Sequence, residues 1–303
     1  MSLLRPLLNT YLRLTEKTHM QNASGPDALR RSLETKARLL FHAPLSMRLK
    51  RGTLAGVEAL WVTPRTGDEP QATILYFHGG GFVFGSPQTH GAMIAALAKR
   101  SGARAVLPRY PLAPEHPFPA ALDRAIAAYQ ACRAEGGPVI IGGDSAGGGL
   151  ALSLLAHLLT EGEQTPDAVF AFSPLTDLTF SGASIRENAK SDVVLPAERA
   201  SEMLQMYLNG EDATNPLASP LFADFASAPP IWITAGDTEI LLDDSRRTAE
   251  RMQGQGVDVT YVEEHDLPHV WPLFHNTLPE ARRTLNALAA WIKSQTGTSA
   301  GTR

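Results

Sequence analysis

A serine between closely spaced glycines is the first feature of this chain that could do chemistry. The run Gly143-Asp144-Ser145-Ala146-Gly147 follows a short β-branched strand signal, Val139–Ile141, and precedes an apolar helical segment. A G-x-S-x-G pattern between a strand and a helix holds the serine in a strained turn that exposes its hydroxyl. Glycines two positions before and two after it remove side chains that would collide there. The pattern predicts that Ser145 is a nucleophile.

A glycine triplet is the second such feature. The run His78-Gly79-Gly80-Gly81-Phe82 ends a continuously apolar strand signal, Ala72–Phe77. Three consecutive glycines are conformationally costly, and on their own they also fit a tight strand-to-helix turn. Together with the serine motif, the run is typical of a loop whose N–H groups bind an oxyanion. We therefore predict oxyanion-hole donors among Gly79, Gly80, Gly81 and Ala146.

A serine hydroxyl is a weak nucleophile until a base takes its proton, and histidine is the usual base. In enzymes with this serine turn, the histidine follows the serine and lies on the loop after the last strand. Among the nine histidines, only His265, His269 and His275 lie far enough along the chain. His269 comes just after the strand signal Val257–Glu263 and is the predicted base. We expect His265 at the surface or in the shell around the site, and His275 where the final helix approaches.

The acid that orients this histidine should follow the preceding strand signal, Ile231–Ala235. Four carboxylates stand there, at Asp237, Glu239, Asp243 and Asp244. The last two fit the N-cap and first turn of the next helix. A triad acid must reach the histidine Nδ1–H and hold its tautomer. The spacing leaves both Asp237 and Glu239 open for this role.

Strand and helix signals alternate along most of the chain. This alternation predicts βαβ units in an α/β fold, with a mostly parallel sheet of about eight strands between two layers of helices. Met47–Leu54 and Val57–Pro64 predict a hairpin with its turn at Gly56. Residues of about 178–228 break the rhythm and contain one helix signal, near Pro196–Leu208. Such an insertion lies at the carboxyl end of the strands, so we expect part of a lid.

Composition excludes several classes of function. The 303 residues carry a formal net charge of −4 and no basic run, which argues against binding to nucleic acid or anionic membranes. No apolar stretch is long enough to span a membrane. The leucine-rich start of the chain is broken by polar residues and predicts an amphipathic helix rather than a signal peptide. With Cys132 as its only cysteine, the chain cannot form an internal disulfide, and we expect a cytoplasmic protein.

Together these residues resemble the bacterial hormone-sensitive lipase family of esterases, which has the α/β-hydrolase fold. The matching stretches stand in the family's order: HGGGF (78–82), YPLAPEHPFPAALD (110–123), GDSAGG (143–148), SPLTDL (173–178), GDTEILLDD (236–244) and PHVW (268–271). They extend over residues of about 72–293, nearly the whole predicted sheet domain.

The resemblance implies particular roles. The family's acid stands two residues before a leucine and four before an aspartate, and this register favours Glu239, with Asp237 as the alternative. An aspartate is commoner at that position in the family. The implied oxyanion donors are Gly80 and Gly81 with Ala146. By the same resemblance, Asp144 and Glu115 are hydrogen-bonded structural supports of the serine turn and the glycine loop.

The resemblance also implies an organisation and an activity. Residues 46–303 would form the catalytic domain, covered by a helical cap of residues 1–45 and of an insertion around 185–215. The implied partner is a small-molecule ester with a short acyl chain, handled without a metal or organic cofactor. A homodimer through the edge strand Val257–Glu263 is also expected.

The predicted function is therefore that of a serine carboxylesterase, in which Ser145, His269 and Glu239 act through an acyl-enzyme intermediate. Two alternatives stay in view. An amide or peptide hydrolase could use the same triad, although nothing in the sequence favours it. A non-catalytic ligand receptor could keep the fold. Such receptors typically lack the histidine, and here it is present.

Overall fold

A single eight-stranded sheet organises the protein. The computed structural model describes residues 2–67 and 69–297. The strands are β1 (Met47–Leu54), β2 (Val57–Pro64), β3 (Thr73–Phe77), β4 (Arg104–Pro108), β5 (Val139–Asp144), β6 (Ala168–Phe172), β7 (Ile231–Gly236) and β8 (Val259–Glu264). The α-helices are α1 (Leu4–Leu12), α2 (Thr18–Asn22), α3 (Pro26–Leu40), α4 (Pro87–Ser101), α5 (Ala120–Ala134), α6 (Ala146–Thr160), α7 (Ser184–Glu187), α8 (Ala197–Leu208), α9 (Leu242–Gly254) and α10 (Pro279–Gly297).

The strand order is β1-β2-β4-β3-β5-β6-β7-β8. The hairpin β1–β2 is antiparallel and β2 also pairs antiparallel with β4, whereas all pairs from β4 to β8 are parallel. Strands β3, β5 and β6 are buried along their whole length, because helices cover both faces of the sheet. The predicted α/β fold with a mostly parallel sheet of about eight strands is confirmed.

Two helical layers enclose the sheet. Buried residues of α5, α6 and α9 pack on one face, and those of α4 and α10 pack on the other. A parallel sheet with this cover places the carboxyl ends of its strands at one edge, where the connecting loops can build a site. In the described part of the chain, no helix is both long and apolar enough to cross a membrane.

The structure differs from the sequence-based boundaries in a few places. Strand β5 runs on to Asp144, directly before Ser145, because Gly142 and Gly143 continue the pairing with β6. The N-terminal helix, expected from the sequence to end at about Lys17, continues to Asn22 through a π-helical turn, Arg13–Lys17. The short helix α7 has no counterpart in the prediction. The sequence predicts a disordered tail over Thr296–Arg303; residues 296–297 instead end α10, and residues 298–303 lie outside the described residues.

The acidic pair after β7 also differs from expectation. Helix α9 begins at Leu242, so Asp243 and Asp244 both lie in its first turn and the predicted N-cap role is wrong. Their carboxylates instead accept backbone N–H groups from other segments. Asp244 Oδ2 accepts from Thr176 (2.7 Å) and Asp177 (2.9 Å), and burial raises the pKa of Asp244 to about 7. This aspartate therefore anchors the loop that follows β6.

Candidate active site

Ser145 lies at the tip of the turn between β5 and α6. Its backbone has φ 52° and ψ −124°, a conformation that L-residues rarely adopt. A Cβ on Gly143 would lie 2.1 Å from the carbonyl oxygen of Gly147, and one on Gly147 would lie 2.1 Å from that of Phe77. Both glycines are therefore required by the close packing of the turn, as the spacing predicted. A residue held in such a sparsely populated backbone conformation is typical of a functional site.

His269 and Glu239 form a buried pair beside this turn. His269 Nδ1 lies 2.6 Å from Glu239 Oε2, and the two side chains are 6% and 1% exposed. His269 Nε2 is buried and has no hydrogen-bond partner among the residues that the structure describes. Ser145 and His269 line the same cavity. The free ring nitrogen is thus available to a group that enters or borders this cavity.

Glu239 is held at its second oxygen as well. Its Oε1 accepts the N–H of Gly236 (2.5 Å) and the hydroxyl of Ser173 (2.8 Å). Ser173 in turn accepts the N–H of Val270, next to the histidine, at 3.3 Å. Ser173 therefore bridges the acid and the histidine loop. The sequence contained this serine in the stretch SPLTDL but offered no signal for the contact.

Asp237, the alternative acid, lies elsewhere. Its Oδ2 is 2.6 Å from Nδ1 of His265, whose side chain is 68% exposed, and its Oδ1 accepts the N–H of Asp266. His265 is thus at the surface, as expected. The structure brings Glu239, and not Asp237, to His269. We refer to residues 237–240 as the acid loop.

The electrostatics of His269 favour its charged form. Burial would lower the pKa of this imidazole, but the Glu239 carboxylate opposes burial, and the more distant Asp192 and Asp144 add to its effect. The net result is a pKa above the ordinary 6.5. A histidine stabilised in this way can hold a proton that it has taken from a neighbouring hydroxyl.

The glycine loop presents free backbone donors. Gly79 donates its N–H to Asp144 Oδ1 at 2.9 Å, so this predicted oxyanion donor is already occupied and has to be dropped. The N–H groups of Gly80, Gly81 and Ala146 have no acceptor within residues 2–67 and 69–297. Gly80 (φ 122°) and Gly81 (φ 58°) adopt backbone conformations that favour glycine. The glycine residues thus expose two donors at the cavity wall.

A buried network supports this loop from behind. Asp144 accepts the Tyr76 hydroxyl at 2.7 Å and lies 3.2 Å from His90 Nε2. Burial works against ionisation of Asp144, but His90 and Tyr76 outweigh it and lower the pKa of Asp144. His78 is also buried, which lowers the pKa of this imidazole to about 3. His78 is therefore neutral and structural.

Glu115 supports the glycine loop indirectly. It binds Arg30 of α3 through two contacts of 2.7 Å. Arg30 also donates to the backbone carbonyls of Val83 (2.8 Å) and Ala113 (2.9 Å). The arginine thereby joins the N-terminal helices to the segment just after the glycine triplet. Sequence reasoning identified Glu115 but not its partner, which lies 85 positions away.

The cavity in front of Ser145 measures about 190 Å³. Its far wall is built from the N-terminal helical segment, from α8 and from the residues just before α8, with mostly apolar side chains: Tyr11, Leu12, Met20, Leu29, Leu33, Leu40, Phe41, Val194, Leu195, Ala200, Met203 and Leu204. Phe82, Phe84, Leu175 and Trp271 stand beside the sequence motifs, where any of them could line an acyl pocket, and of these Phe84 and Leu175 line this cavity. Phe82 stacks on Tyr207, and Trp271 is fully buried in a separate cluster.

Comparison with known proteins identifies the family to which this chain belongs. A family model described as the alpha/beta hydrolase fold matches residues 74–273. An acetyl-hydrolase of Streptomyces hygroscopicus is 38% identical over 81% of this chain and 82% of its own length. An esterase of Acinetobacter venetianus is 34% identical over 93% of this chain and 94% of its own.

A solved structure agrees with these relatives. The crystal structure of an esterase from the bacterial hormone-sensitive lipase family superposes with a TM-score of 0.90 and 34% identity, covering 98% of this chain and 99% of that one. The chain therefore belongs to the α/β-hydrolase fold family, among its hormone-sensitive-lipase-like esterases. This membership confirms the predicted family and the predicted enzyme class, a carboxylic ester hydrolase.

Proposed function

We propose that this protein hydrolyses short-chain carboxylic esters through a triad of Ser145, His269 and Glu239. The observation that carries the proposal is the His269 ring. One of its nitrogens is 2.6 Å from a buried carboxylate, and the other is buried without a partner in the described structure, in the cavity that Ser145 also lines. A histidine oriented in this way is built to take a proton from a serine hydroxyl.

The first half of the reaction forms an acyl-enzyme. His269 Nε2 removes the Ser145 proton as the serine oxygen attacks the ester carbonyl. The N–H groups of Gly80, Gly81 and Ala146 stabilise the negative oxygen of the tetrahedral intermediate, an effect that is typically worth about 10²–10³ in rate per donor. The protonated His269 then gives its proton to the leaving alcohol, and the carbon–oxygen bond to that alcohol breaks.

The second half regenerates the enzyme. Water enters, His269 takes one of its protons, and the hydroxide oxygen attacks the acyl carbon. The same three N–H groups hold the second tetrahedral oxyanion. Collapse of that intermediate returns the proton to Ser145 and releases the carboxylic acid. Glu239 stays ionised throughout, because it stabilises the imidazolium rather than taking its proton.

We further propose that residues 1–45 and about 185–215 act as a cap over this site and limit acyl length. Both segments supply the far wall of the cavity. At about 190 Å³, the cavity is smaller than the ~300–1,000 Å³ of sites that enclose drug-sized ligands. A short acyl chain fits such a volume. The printed name of the Streptomyces relative, an acetyl-hydrolase, agrees with this preference.

The test is hydrolysis of p-nitrophenyl acetate, butyrate, octanoate and palmitate. Wild type should be most active on the short esters, and Ser145→Ala should lose activity on all of them by several orders of magnitude. Ser153→Ala, a buried serine of α6 outside the cavity lining, is the matched control and should keep wild-type rates. A fluorophosphonate should add covalently to Ser145, as read by peptide mass.

Three outcomes would redirect the proposal. Turnover that persists in Ser145→Ala would show that this serine is not the nucleophile. Hydrolysis of anilides at rates above those of the matched esters would favour an amide hydrolase on the same site. Tight binding of an ester without any turnover would favour a ligand receptor.

A further inference from the structure

A short segment between α7 and α8 touches the acid loop from outside. We refer to residues 188–192 as the clamp segment. Asn188 Nδ2 donates to the backbone carbonyls of Asp237 (3.0 Å) and Glu239 (2.8 Å), and Ser191 Oγ donates to that of Thr238 (3.2 Å). Two side chains thus hold three consecutive carbonyls of the acid loop. The backbone that carries the Glu239 side chain has little freedom to shift.

Asp192 adds a further hydrogen bond to the acid loop through its buried carboxylate. Its Oδ2 accepts the N–H of Ile240, directly after Glu239, at 2.9 Å. Its Oδ1 accepts the N–H groups of Val194 and Leu195, each at 2.8 Å, and the residue is only 2% exposed. Val194 and Leu195 line the cavity. One carboxylate therefore joins the acid loop to the cavity wall.

The N-terminal helix holds the clamp segment from its other side. Arg13 and Lys17 are the two ends of the π-helical turn, and Lys17 is buried. Their side chains donate to four carbonyls of the clamp segment: Arg13 to Lys190 (2.5 Å) and Ser191 (3.2 Å), and Lys17 to Ala189 (2.7 Å) and Asp192 (2.7 Å). Local π-helical turns recur at functional sites.

We propose that Asn188, Ser191 and Asp192 are positioning residues for Glu239, and that Asp192 couples the triad acid to the cap. The contacts form one continuous path from the π-helical turn through the clamp segment to the acid loop. This inference rests on the proposed role of Glu239 as the acid. It explains why an ionisable group is buried where an apolar residue would avoid the desolvation cost.

The geometry makes Asp192→Asn a selective perturbation. The amide oxygen will occupy the Oδ1 position, since two N–H donors point there and only one points at Oδ2. The NH₂ group then faces the N–H of Ile240, and two donors repel each other. The substitution therefore keeps the turn at Val194 and Leu195 but breaks the bond to the acid loop.

The expected effect is on the chemical step. A shift of the acid loop by a fraction of an ångström misplaces Glu239 against His269, which should lower kcat on p-nitrophenyl butyrate by on the order of 10–10²-fold. KM should stay within about twofold, because the cavity wall is retained. The acid limb of the pH profile should move to lower pH. Of the three carboxylates that raise the pKa of His269, one loses its charge and Glu239 loses its position, whereas Asp144 is unchanged.

Asp177→Asn is the matched control. Asp177 is also a buried carboxylate, and it accepts the N–H groups of Thr179 (2.9 Å) and Ser181 (3.1 Å), but it does not contact the acid loop in the described structure. The Asp177→Asn substitution should lower the midpoint of thermal unfolding, while kcat per active site and the acid limb of the pH profile stay unchanged. Titration with a fluorophosphonate counts the active sites, so that partial misfolding is separated from slower chemistry.

Lys17→Met tests the cap end of the path. The variant keeps the buried stem and removes both bonds to the clamp segment, so kcat per site should fall in the same direction as in Asp192→Asn, by a smaller factor. Wild-type kcat per site in Lys17→Met would remove the coupling to the cap from the proposal.

Proton NMR separates this inference from the esterase proposal. The downfield resonance of the proton between His269 and Glu239 titrates with the imidazole and needs no substrate. In Asp192→Asn, its midpoint should move to lower pH, even if no ester proves to be a substrate. An unshifted midpoint together with wild-type kcat per site would overturn the positioning role. Loss of Ser145-dependent turnover in the wild type would overturn only the esterase proposal.

Discussion

Replacing Glu239 with glutamine changes one charge at the centre of the proposed site and almost nothing in its shape. Glu239 Oε1 accepts two hydrogen bonds, from Gly236 and Ser173, whereas Oε2 contacts only His269. The single oxygen of glutamine will therefore stay on the Oε1 side. Its NH₂ group replaces Oε2 and donates to His269 Nδ1. The imidazole must then carry its proton on Nε2, the tautomer that cannot accept the Ser145 proton.

The expected loss follows from this tautomer. Enforcing the wrong tautomer in a serine–histidine–acid triad costs on the order of 10⁴ in kcat. At 1.36 kcal/mol per factor of ten, that is about 5 kcal/mol of barrier. KM should change little, since the side chain keeps its volume and does not line the cavity. Steady-state hydrolysis of p-nitrophenyl butyrate, normalised to titrated sites, measures both parameters.

Asp237→Asn is the comparison that makes the result decisive. Asp237 contacts His265, which is largely exposed, and a solvated pair of this kind contributes little to stability. We expect kcat within about twofold of wild type. If Asp237→Asn causes the deeper loss, or if Glu239→Gln keeps more than about a tenth of wild-type kcat, the assignment of the acid is refuted.

Four further predictions are simpler to check. Because Glu239 outweighs burial and raises the pKa of His269, and because only the neutral ring acts as base, kcat/KM should reach half its maximum at a pH above 6.5, and a midpoint below that value contradicts the pairing. Gly147→Ala puts a Cβ 2.1 Å from the Phe77 carbonyl and should destabilise the protein by about 1–3 kcal/mol in calorimetry, whereas Gly254→Ala, in open space, should not. Burial raises the pKa of Cys132 to about 12, so this thiol should resist Ellman's reagent in the native protein and react fully in urea. We also propose that the protein dimerises through the outer edge of β8, the last strand of the sheet. Sedimentation at micromolar concentration should then show a dimer, and a monomer would refute this proposal.

Local sequence patterns alone determined most of the architecture. The continuous apolar run at β3 predicted a buried strand because a parallel sheet with helices on both faces leaves no polar side. The apolar helical segment predicted directly after the serine turn is helix α6, and the hairpin β1–β2 was predicted with its turn. The positions of Ser145 and His269 followed in the same way, since each lies in the turn or loop that follows a predicted strand. These features depend on neighbours only a few positions apart.

Residue spacing could not decide which of two carboxylates is the acid that contacts His269. Asp237 and Glu239 both follow β7, and the path of the acid loop decides which side chain turns inward. That path depends on contacts with segments far away in the chain. The clamp segment, which hydrogen-bonds to the acid loop, lies about 50 positions earlier in the chain. Ser173, which donates to the Glu239 carboxylate, lies 66 positions earlier. Only the folded chain brings these groups together.

The same reason explains the change at the glycine loop. All three glycines of the triplet matched the pattern of an oxyanion hole, but the N–H of Gly79 is occupied by Asp144, 65 positions along the chain. A motif specifies which residue types are present. Which of their hydrogen-bonding groups stay free is a property of long-range packing, so the tertiary structure alone decided it.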